Sequence, residues 1–310
     1  MRAIRYHEYG DSSVLHLEDA PDARPGAGEV VVQVAGTSVN MLDVAIRLGI
    51  LQNDAPIAFP HIPGVDVAGR ISEVGPGVTD WHTGDAVIAF LPATAAGAAA
   101  EYVSAPAALL APAPASVDLA DAAALPLAGL TAWQALVENA RLRAGQSILV
   151  NGAGGGVGGF AVQLARREAA TVTATASDRS RERVRAAGAD RIVDYAATPV
   201  AEQLAGERFD VVLNLVRNSP VEAAALADLV VDRGVFVSAT TPGPERPERN
   251  IRVEQVAVRS DPVQLTRLVA LVDGGELVLD IAQRLPLADL HVAHDQALHG
   301  MLPGKTVLIV

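Results

Sequence analysis

The chain has 310 residues, of which 50% are hydrophobic and 19% are charged, and its formal net charge is −12. This length predicts two domains, and the apolar content is enough for their cores and argues against disorder across the chain. An acidic chain with no cluster of basic and aromatic residues is not expected to bind nucleic acid. The absence of cysteine excludes disulfides, thiolate nucleophiles and cysteine-ligated zinc.

The N-terminal residues contain no apolar core of a signal peptide, and no uninterrupted apolar stretch is long enough to span a bilayer. We therefore expect a cytoplasmic protein without a membrane partner.

Short strands bounded by glycine or proline are predicted in the first third of the chain, at residues 29–36, 65–74 and 85–89. Helical periodicity is confined there to residues 41–48. Helices broken by Pro126 and Gly129 are predicted between residues 118 and 139. The first third is thus expected to form a compact β domain.

Beyond residue 147, strands alternate with helices, as βαβ units do. The predicted strands lie at residues 148–150, 171–173, 192–193, 211–213 and 235–237, and a clear helix covers 179–187. Such alternation predicts an α/β fold with a doubly wound parallel sheet, whose ligands bind at the carboxyl ends of the strands.

A glycine-rich turn follows the strand at 148–150 and precedes a helical pattern at 160–167. It consists of Ala153, Gly154, Gly155, Gly156, Val157 and Gly158. Glycines allow the backbone to approach a pyrophosphate closely, and the following helix directs its N-terminal amides at the same anion. Ordinary turns use glycine too, but the strand before and the helix after this turn favour a dinucleotide pocket.

The C-terminal third adds a surface loop at 240–250, a helix at 263–271 and an apolar last strand at 305–310, which is expected to pair with the N-terminal β domain. Residues 251–256 are expected to form an open edge of the parallel sheet, where a symmetry mate would pair and give a homodimer. His291, His294 and His299 lie on a predicted exposed helix without a metal-binding spacing, so we expect them to be solvated.

Several motifs together carry a family resemblance. They are Ser38-Val39-Asn40-Met41-Leu42-Asp43, the segment 60–69 (PHIPGVDVAG), the segment 123–133 (AALPLAGLTAW), the glycine run beginning with Ala153, the pair Asp194-Tyr195, and Gly304-Lys305 before the last strand. In combination they resemble the zinc-independent quinone oxidoreductase branch of the medium-chain dehydrogenase/reductase superfamily.

This resemblance implies a GroES-like β domain, formed by residues 1–117 and 272–310, and a Rossmann domain formed by residues 118–271. Where zinc-dependent relatives place a cysteine and a histidine–glutamate pair, this chain has Ser38 and Val65-Asp66. No catalytic zinc is therefore expected.

The resemblance also implies roles for three polar residues. Asn40 would lie beside the nicotinamide and donate a hydrogen bond to the acceptor oxygen, although an asparagine next to a helix start also suits capping. Asp43 would hold its loop through backbone amides or lie at the pocket, and the first role is favoured. Thr131 would contact the nicotinamide carboxamide or cap a helix. Many relatives have an aromatic residue where this chain has Val44-Ala45, so no tyrosine proton donor is expected there.

The cofactor is predicted from the end of the second Rossmann strand. Arg179 or Arg181, together with Ser177, would accept a 2′-phosphate and favour NADPH, whereas an acidic residue such as Asp178 would favour NADH. Because Asp178 is expected just beyond the strand and the family generally prefers NADPH, we predict NADPH. Tyr195 matches a family position beside the adenosine phosphate.

These expectations combine into one predicted activity, which is NADPH-dependent hydride transfer to small-molecule quinones or α,β-unsaturated carbonyls without a metal. Two alternatives remain open. One is an enoyl reductase acting on thioester-linked or lipid-derived enones, and the other is a non-catalytic NADPH-binding sensor.

Overall fold

The computed structural model describes residues 1–310, which fold into two compact units. The first unit contains residues Met1–Leu127, Ser260–Gly275 and Ile281–Val310, and the second contains Ala128–Arg259 and Glu276–Asp280. No helix is both long and apolar enough to cross a membrane.

The secondary structure comprises fifteen strands and eight α-helices. The strands are β1 (Arg2–Arg5), β2 (His16–Asp19), β3 (Glu29–Ser38), β4 (Asp66–Val74), β5 (Ala86–Phe90), β6 (Tyr102–Pro106), β7 (Ala111–Pro112), β8 (Ser147–Asn151), β9 (Thr171–Ala176), β10 (Arg191–Asp194), β11 (Phe209–Asn214), β12 (Val230–Ser238), β13 (Arg252–Gln255), β14 (Ile281–Pro286) and β15 (Lys305–Ile309). The helices are α1 (Met41–Arg47), α2 (Pro126–Trp133), α3 (Gly156–Arg167), α4 (Arg181–Ala186), α5 (Val200–Gln203), α6 (Pro220–Ala227), α7 (Pro262–Asp273) and α8 (Leu290–Leu298).

The first unit is built on a seven-stranded sheet in the order β14-β15-β3-β4-β5-β7, with β6 pairing beside β3. Alternating valines of β3, such as Val30 and Val32, bury one face against Val67 of β4 and Val87 of β5. The last strand, β15, pairs antiparallel with β3, which confirms its predicted return to the N-terminal β domain. This is the GroES-like domain of the expected fold.

The second unit contains a six-stranded parallel sheet in the order β10-β9-β8-β11-β12-β13. Numbered within this sheet, the order is 3-2-1-4-5-6, which defines a Rossmann domain. The order reverses between β8 and β11, so the ligand crevice of this fold lies at the carboxyl ends of these two strands. The glycine-rich turn follows β8 directly, and β13 forms one edge of the sheet, as predicted.

Two helices differ from the sequence prediction. Helix α3 begins at Gly156, inside the glycine run, rather than at residue 160. Helix α2 begins with Pro126 and continues through Gly129, where a break was expected. Proline suits the first turn of a helix because its missing N–H would have no partner there, and one glycine costs only about 1 kcal/mol in a helix that tertiary packing supports.

The unit boundaries also differ from the predicted domain boundaries at residues 117/118 and 271/272. Residues 118–127 and all of α7 fold with the first unit rather than with the Rossmann sheet. Hydrogen bonds account for both segments. The backbone N–H of Leu127 donates to Asp66, and the backbone N–H of Ser116 donates to Asp273 at the end of α7.

Candidate active site

Four polar side chains form a buried cluster in the first unit. Ser38 ends β3, Asn40 precedes α1, Asp66 begins β4, and Lys305 begins β15. Because β3 pairs with both β4 and β15, the sheet brings these strand ends together. All four side chains are buried, and Asp66 is fully inaccessible to solvent. We refer to these four residues as the Asp66–Lys305 cluster.

Asp66 is the central acceptor of the cluster. Its Oδ2 accepts hydrogen bonds from Ser38 Oγ at 2.5 Å, Asn40 Nδ2 at 2.9 Å and Lys305 Nζ at 3.4 Å. Its Oδ1 accepts one from the backbone N–H of Leu127, in the first turn of α2, at 2.8 Å. A buried carboxylate needs such partners, and here a cation, two side-chain donors and a helix N-terminus supply them.

The carboxamide of Asn40 is fully engaged inside this cluster. Its Oδ1 accepts from Lys305 Nζ at 2.9 Å, while Nδ2 donates to Asp66 and, at 3.2 Å, to the carbonyl oxygen of Ser38. Asn40 occupies the N-cap position of α1, but its side chain makes no capping hydrogen bond. An amide nitrogen carries two hydrogens, so the amide of Asn40 has none left for an acceptor in this arrangement.

Asp43 holds a neighbouring loop through two backbone amides. Its Oδ1 accepts from the N–H of Gly64 at 2.9 Å and from that of Val65 at 3.2 Å. Gly64 has φ +103°, a conformation that glycine adopts readily. Burial raises the pKa of Asp43 to about 7, because removal from water disfavours the ionised form more than the two amides favour it. This contact is the loop-holding role that the sequence favoured.

A small cavity lies beside Asp43 in the same unit. Tyr6 and His61 also line it, and its volume of about 10 Å³ approaches what one water molecule needs. Asp43 Oδ2 and the Tyr6 hydroxyl are buried without a hydrogen-bond partner. Burial lowers the pKa of His61 to about 4, so this imidazole is neutral at neutral pH.

The three C-terminal histidines are not uniformly solvated, so that expectation is corrected for His294. Its side chain is buried, and its Nδ1 accepts from Arg47 Nε at 3.3 Å. Burial and the neighbouring guanidinium lower the pKa of His294 to about 3, so it is neutral and structural. His291 and His299 are exposed, and each pairs its Nδ1 with a carbonyl oxygen at 3.1 and 2.9 Å, respectively.

The glycine-rich turn of the second unit forms a cradle that has no room for a side chain at Gly154 or Gly158. A Cβ at Gly158 would lie less than 3.0 Å from the backbone of both Gly152 and Ala153, and a Cβ at Gly154 would lie 2.8 Å from Ser180 Cβ. Gly155 is the N-cap of α3 and offers no side chain to the first amides of the helix. These open amides fit a pyrophosphate, so the turn is suited to a dinucleotide.

A network of polar side chains is hydrogen-bonded to the start of this cradle. Thr175 Oγ1 accepts from the N–H of Gly152 at 2.8 Å and donates to Asn151 Oδ1 at 3.0 Å. Asn151 Nδ2 donates to Asn214 Oδ1 at 2.9 Å, and Asn214 Nδ2 donates to Ser238 Oγ at 3.3 Å. The network therefore joins the carboxyl ends of β9, β8, β11 and β12, where it fixes the start of the glycine-rich turn.

Sequence reasoning missed this network, although a signal was present. Each of these four strands carries a buried polar side chain at or next to its last residue. In a parallel sheet those ends meet at one edge, so polar residues there predict a shared hydrogen-bonded layer.

The residues predicted at the adenosine end lie just after β9 and β10. Asp178 and Arg179 are exposed, and Ser177 is half-buried. Arg181 is paired with Asp178 at 3.3 Å and with Asp194 at 3.4 Å. Arg179 makes no ion pair, which leaves its guanidinium open to an anion. Tyr195 follows β10 and is half exposed.

Thr131 lies in the interior of α2 and is buried. The helix begins at Pro126, so Thr131 cannot serve as its N-cap, and that alternative is removed.

A GroES-like domain with a buried polar cluster, followed by a Rossmann domain with a glycine-rich cradle, is the architecture typical of the two-domain oxidoreductases. Comparisons with known proteins agree. Residues 26–115 match the family model described as alcohol dehydrogenase GroES-like domain, and residues 187–308 match the one described as zinc-binding dehydrogenase.

The chain is 33% identical to the chloroplast envelope quinone oxidoreductase homolog of Arabidopsis thaliana, over 99% of this chain and 98% of that protein. Its fold is similar to the crystal structure of Escherichia coli quinone oxidoreductase complexed with NADPH, with a TM-score of 0.89, 26% identity and full coverage of both chains. It is also similar to the structure of an NAD-dependent alcohol dehydrogenase, with a TM-score of 0.90, 29% identity and full coverage of both. The chain belongs to the zinc-independent quinone oxidoreductase branch of the medium-chain dehydrogenase/reductase superfamily.

Zinc binding, which the description of the second matched family mentions, does not suit the residues of this chain. By the resemblance drawn from the sequence, Ser38, Val65 and Asp66 stand where zinc-dependent relatives place a cysteine and a histidine–glutamate pair, and hydroxyl, alkyl and carboxylate groups do not form that thiolate–imidazole set. In addition, the ammonium of Lys305 already serves as the counter-charge of Asp66.

Proposed function

We propose that this oxidoreductase uses NADPH to reduce quinones or α,β-unsaturated carbonyls. The observation that carries the proposal is the combination of a dinucleotide cradle after β8 with a buried cluster of carboxamide, carboxylate and ammonium groups that lacks a zinc ligand set. When bound, the nicotinamide supplies the hydride and its electron pair.

The chain's own residues would bind the cofactor and frame the site of the acceptor. We propose that the cradle residues Ala153, Gly154, Gly155, Gly156, Val157 and Gly158 hold the pyrophosphate through backbone amides. Thr131 is proposed to contact the nicotinamide, and Ser177, Arg179, Arg181 and Tyr195 the adenosine end. Asn40 and Asp43 are proposed to frame the acceptor site, Asn40 within the Asp66–Lys305 cluster and Asp43 by holding the loop at Gly64.

The cofactor preference is tested at Arg179, which is exposed and makes no ion pair. We expect Arg179→Ala to weaken NADPH binding by roughly 10-fold, because one charge-assisted contact to the 2′-phosphate is lost. NADH binding should be unchanged. Calorimetric titration of both cofactors measures this. The matched control is Arg185→Ala, which removes an exposed arginine paired with Glu182 at 2.6 Å. Tighter binding of NADH than of NADPH by the unmodified protein would contradict the proposal.

The activity itself is tested by the rate of NADPH absorbance loss with four acceptors. Benzoquinone, a naphthoquinone, a simple enone and an enoyl thioester represent the acceptor classes. Protein-dependent turnover of a quinone or a simple enone supports the proposed function. Selective turnover of the thioester would favour an enoyl reductase instead. Tight NADPH binding without turnover of any acceptor would favour the sensor.

We further propose that the protein is a homodimer in which β13 pairs with its symmetry mate, since β13 is an edge of the parallel sheet. Light scattering at micromolar concentration should then give twice the mass of the 32.0 kDa chain, and a monomer mass would contradict the pairing.

A further inference from the structure

Lys305 is the only lysine in the chain, because 23 of the 24 lysine and arginine residues are arginine. This single lysine is buried, whereas most of the arginines form surface ion pairs or are exposed. A buried guanidinium would also require five hydrogen-bond acceptors in a fixed planar arrangement, while an ammonium requires only three. The cluster offers fewer acceptors than a guanidinium needs, so an arginine would be accommodated less well here than the lysine.

The hydrogens of the Asp66–Lys305 cluster can be counted. Ser38 donates its one hydroxyl hydrogen to Asp66, and Asn40 uses both amide hydrogens on Asp66 and Ser38. Lys305 has three hydrogens but two acceptors, Asn40 Oδ1 at 2.9 Å and Asp66 Oδ2 at 3.4 Å. Among these residues, only Lys305 therefore retains a donor hydrogen.

We propose that Lys305, rather than Asn40, donates the hydrogen bond that stabilises negative charge on the acceptor oxygen during hydride transfer. The inference rests on the proposed function, which places Asn40 at the acceptor site, and it assigns the donor within that site. Asn40 and Asp66 then act as positioning residues, because they hold the ammonium by two of its three hydrogens and orient the third.

The charge balance of the reaction suits this role. The acceptor carbon gains a hydride with its electron pair from the reduced nicotinamide, and the negative charge develops on the conjugated carbonyl oxygen. A fixed ammonium at that oxygen stabilises the charge without reorganisation, as preorganised donors do. The proton that completes the product comes from water, so Lys305 needs only to remain protonated.

The electrostatic surroundings make this protonation dependent on pH. Burial lowers the pKa of Lys305, while the carboxyl groups of Asp66 and Asp43 oppose that shift. Donation requires the ammonium form, so activity should be present below the pKa of Lys305 and should be lost as pH rises through it. An arginine at this position would stay protonated at the alkaline pH values where Lys305 loses its proton.

The kinetic test compares Lys305→Met with Lys305→Arg. We expect Lys305→Met to lower kcat for benzoquinone by about 100-fold, the usual effect of losing one such donor, with NADPH affinity unchanged. Lys305→Arg should retain part of the activity and move its alkaline limit to higher pH. If Lys305→Met folds poorly because Asp66 loses its counter-charge, the comparison is made between Asp66→Asn/Lys305→Met and Asp66→Asn alone, at a pH low enough that Lys305 of Asp66→Asn keeps its proton. A kcat unchanged by removal of the ammonium would overturn the inference.

A second measurement uses the unmodified holoenzyme and does not depend on turnover. Labelling with ¹³Cε-lysine gives one side-chain lysine signal, because the chain has one lysine. We expect this signal to titrate below the ordinary lysine pKa, and to shift when hydroquinone is added as the product probe in the presence of NADP⁺. A signal that saturating hydroquinone does not move would contradict donation by Lys305.

The two proposals fail in different ways. Absence of turnover by the unmodified protein with every acceptor contradicts the proposed function. Normal turnover by the unmodified protein, with an unchanged kcat in Lys305→Met, contradicts only the assignment of the donor. A purely structural Lys305 would lower the free energy of unfolding in Lys305→Met without moving the alkaline limit in Lys305→Arg.

Discussion

Gly158→Ala is expected to raise the dissociation constant of NADPH by roughly 10- to 100-fold and to lower the free energy of unfolding by about 1–3 kcal/mol. A Cβ at this position would lie less than 3.0 Å from the backbone of Gly152 and Ala153, and backbone atoms cannot move aside as a flexible side chain can. The glycine-rich turn must therefore shift, and the amides at the start of α3 move with it. Calorimetric titration with NADPH and chemical denaturation measure the two effects.

Gly159→Ala is the matched control, since it adds the same methyl group one residue along the same helix. Nothing lies within 4 Å of a Cβ at Gly159. Alanine is also the better helix former, by up to about 1 kcal/mol, so this variant should be as stable as the unmodified protein or more stable. Equal NADPH affinity of the two variants would show that the cradle does not depend on the close approach at Gly158.

The Rossmann unit was largely predictable because its signals are local. Apolar strands, a glycine-rich turn and periodic helices follow one another, and the strand order follows from the βαβ rule. The early start of α3 was not predictable, because glycine has low helix propensity and the close approach of Gly158 to Gly152 and Ala153 is made only in the folded chain. His294 was misjudged for a similar reason, since it is buried beside Arg47, which lies far away in the sequence.

The buried polar cluster was less predictable still, because its members come from three separate segments of the chain. The motifs around Asn40, Asp66 and Lys305 were each visible, yet the hydrogen bonds that join them depend on β15 returning to β3. Consequently, sequence reasoning assigned a free donor to Asn40, a residue whose amide hydrogens are engaged within the cluster.

Asp66→Asn is expected to lower the free energy of unfolding by about 3–5 kcal/mol, because the ammonium of Lys305 stays buried without its counter-charge. An asparagine at this position also directs an NH₂ group at donors, either at the N–H of Leu127 or at Ser38 and Asn40. The loss of unfolding free energy has an upper bound, since Lys305 can release its proton instead of staying buried as an unpaired cation. Because pH 7 lies about three units below the ordinary lysine pKa, this release costs roughly 1.4 kcal/mol for each of those units.

Because Lys305 can release its proton, the stability difference between Asp66→Asn and the unmodified protein depends on pH. In Asp66→Asn the folded-state pKa of Lys305 lies further below its unfolded-state value than in the unmodified protein. At a pH between these two values, the unfolded chain therefore binds one proton more than the folded chain. The variant should therefore gain stability relative to the unmodified protein as pH rises above neutrality, by up to about 1.4 kcal/mol per unit. Denaturant unfolding of both proteins across this alkaline range measures the difference.

The double variant Asp66→Asn/Lys305→Met completes the test, because it removes the carboxylate and the ammonium together. Methionine fills a similar volume without a charge, so most of the stability lost in Asp66→Asn should return, and the pH dependence of the difference should disappear. A double variant no more stable than Asp66→Asn would place the cost in the hydrogen bonds of Ser38, Asn40 and Leu127 rather than in the unpaired charge. Recovered stability without recovered turnover would instead separate the two roles of Lys305, as the counter-charge of Asp66 and as the donor to the acceptor.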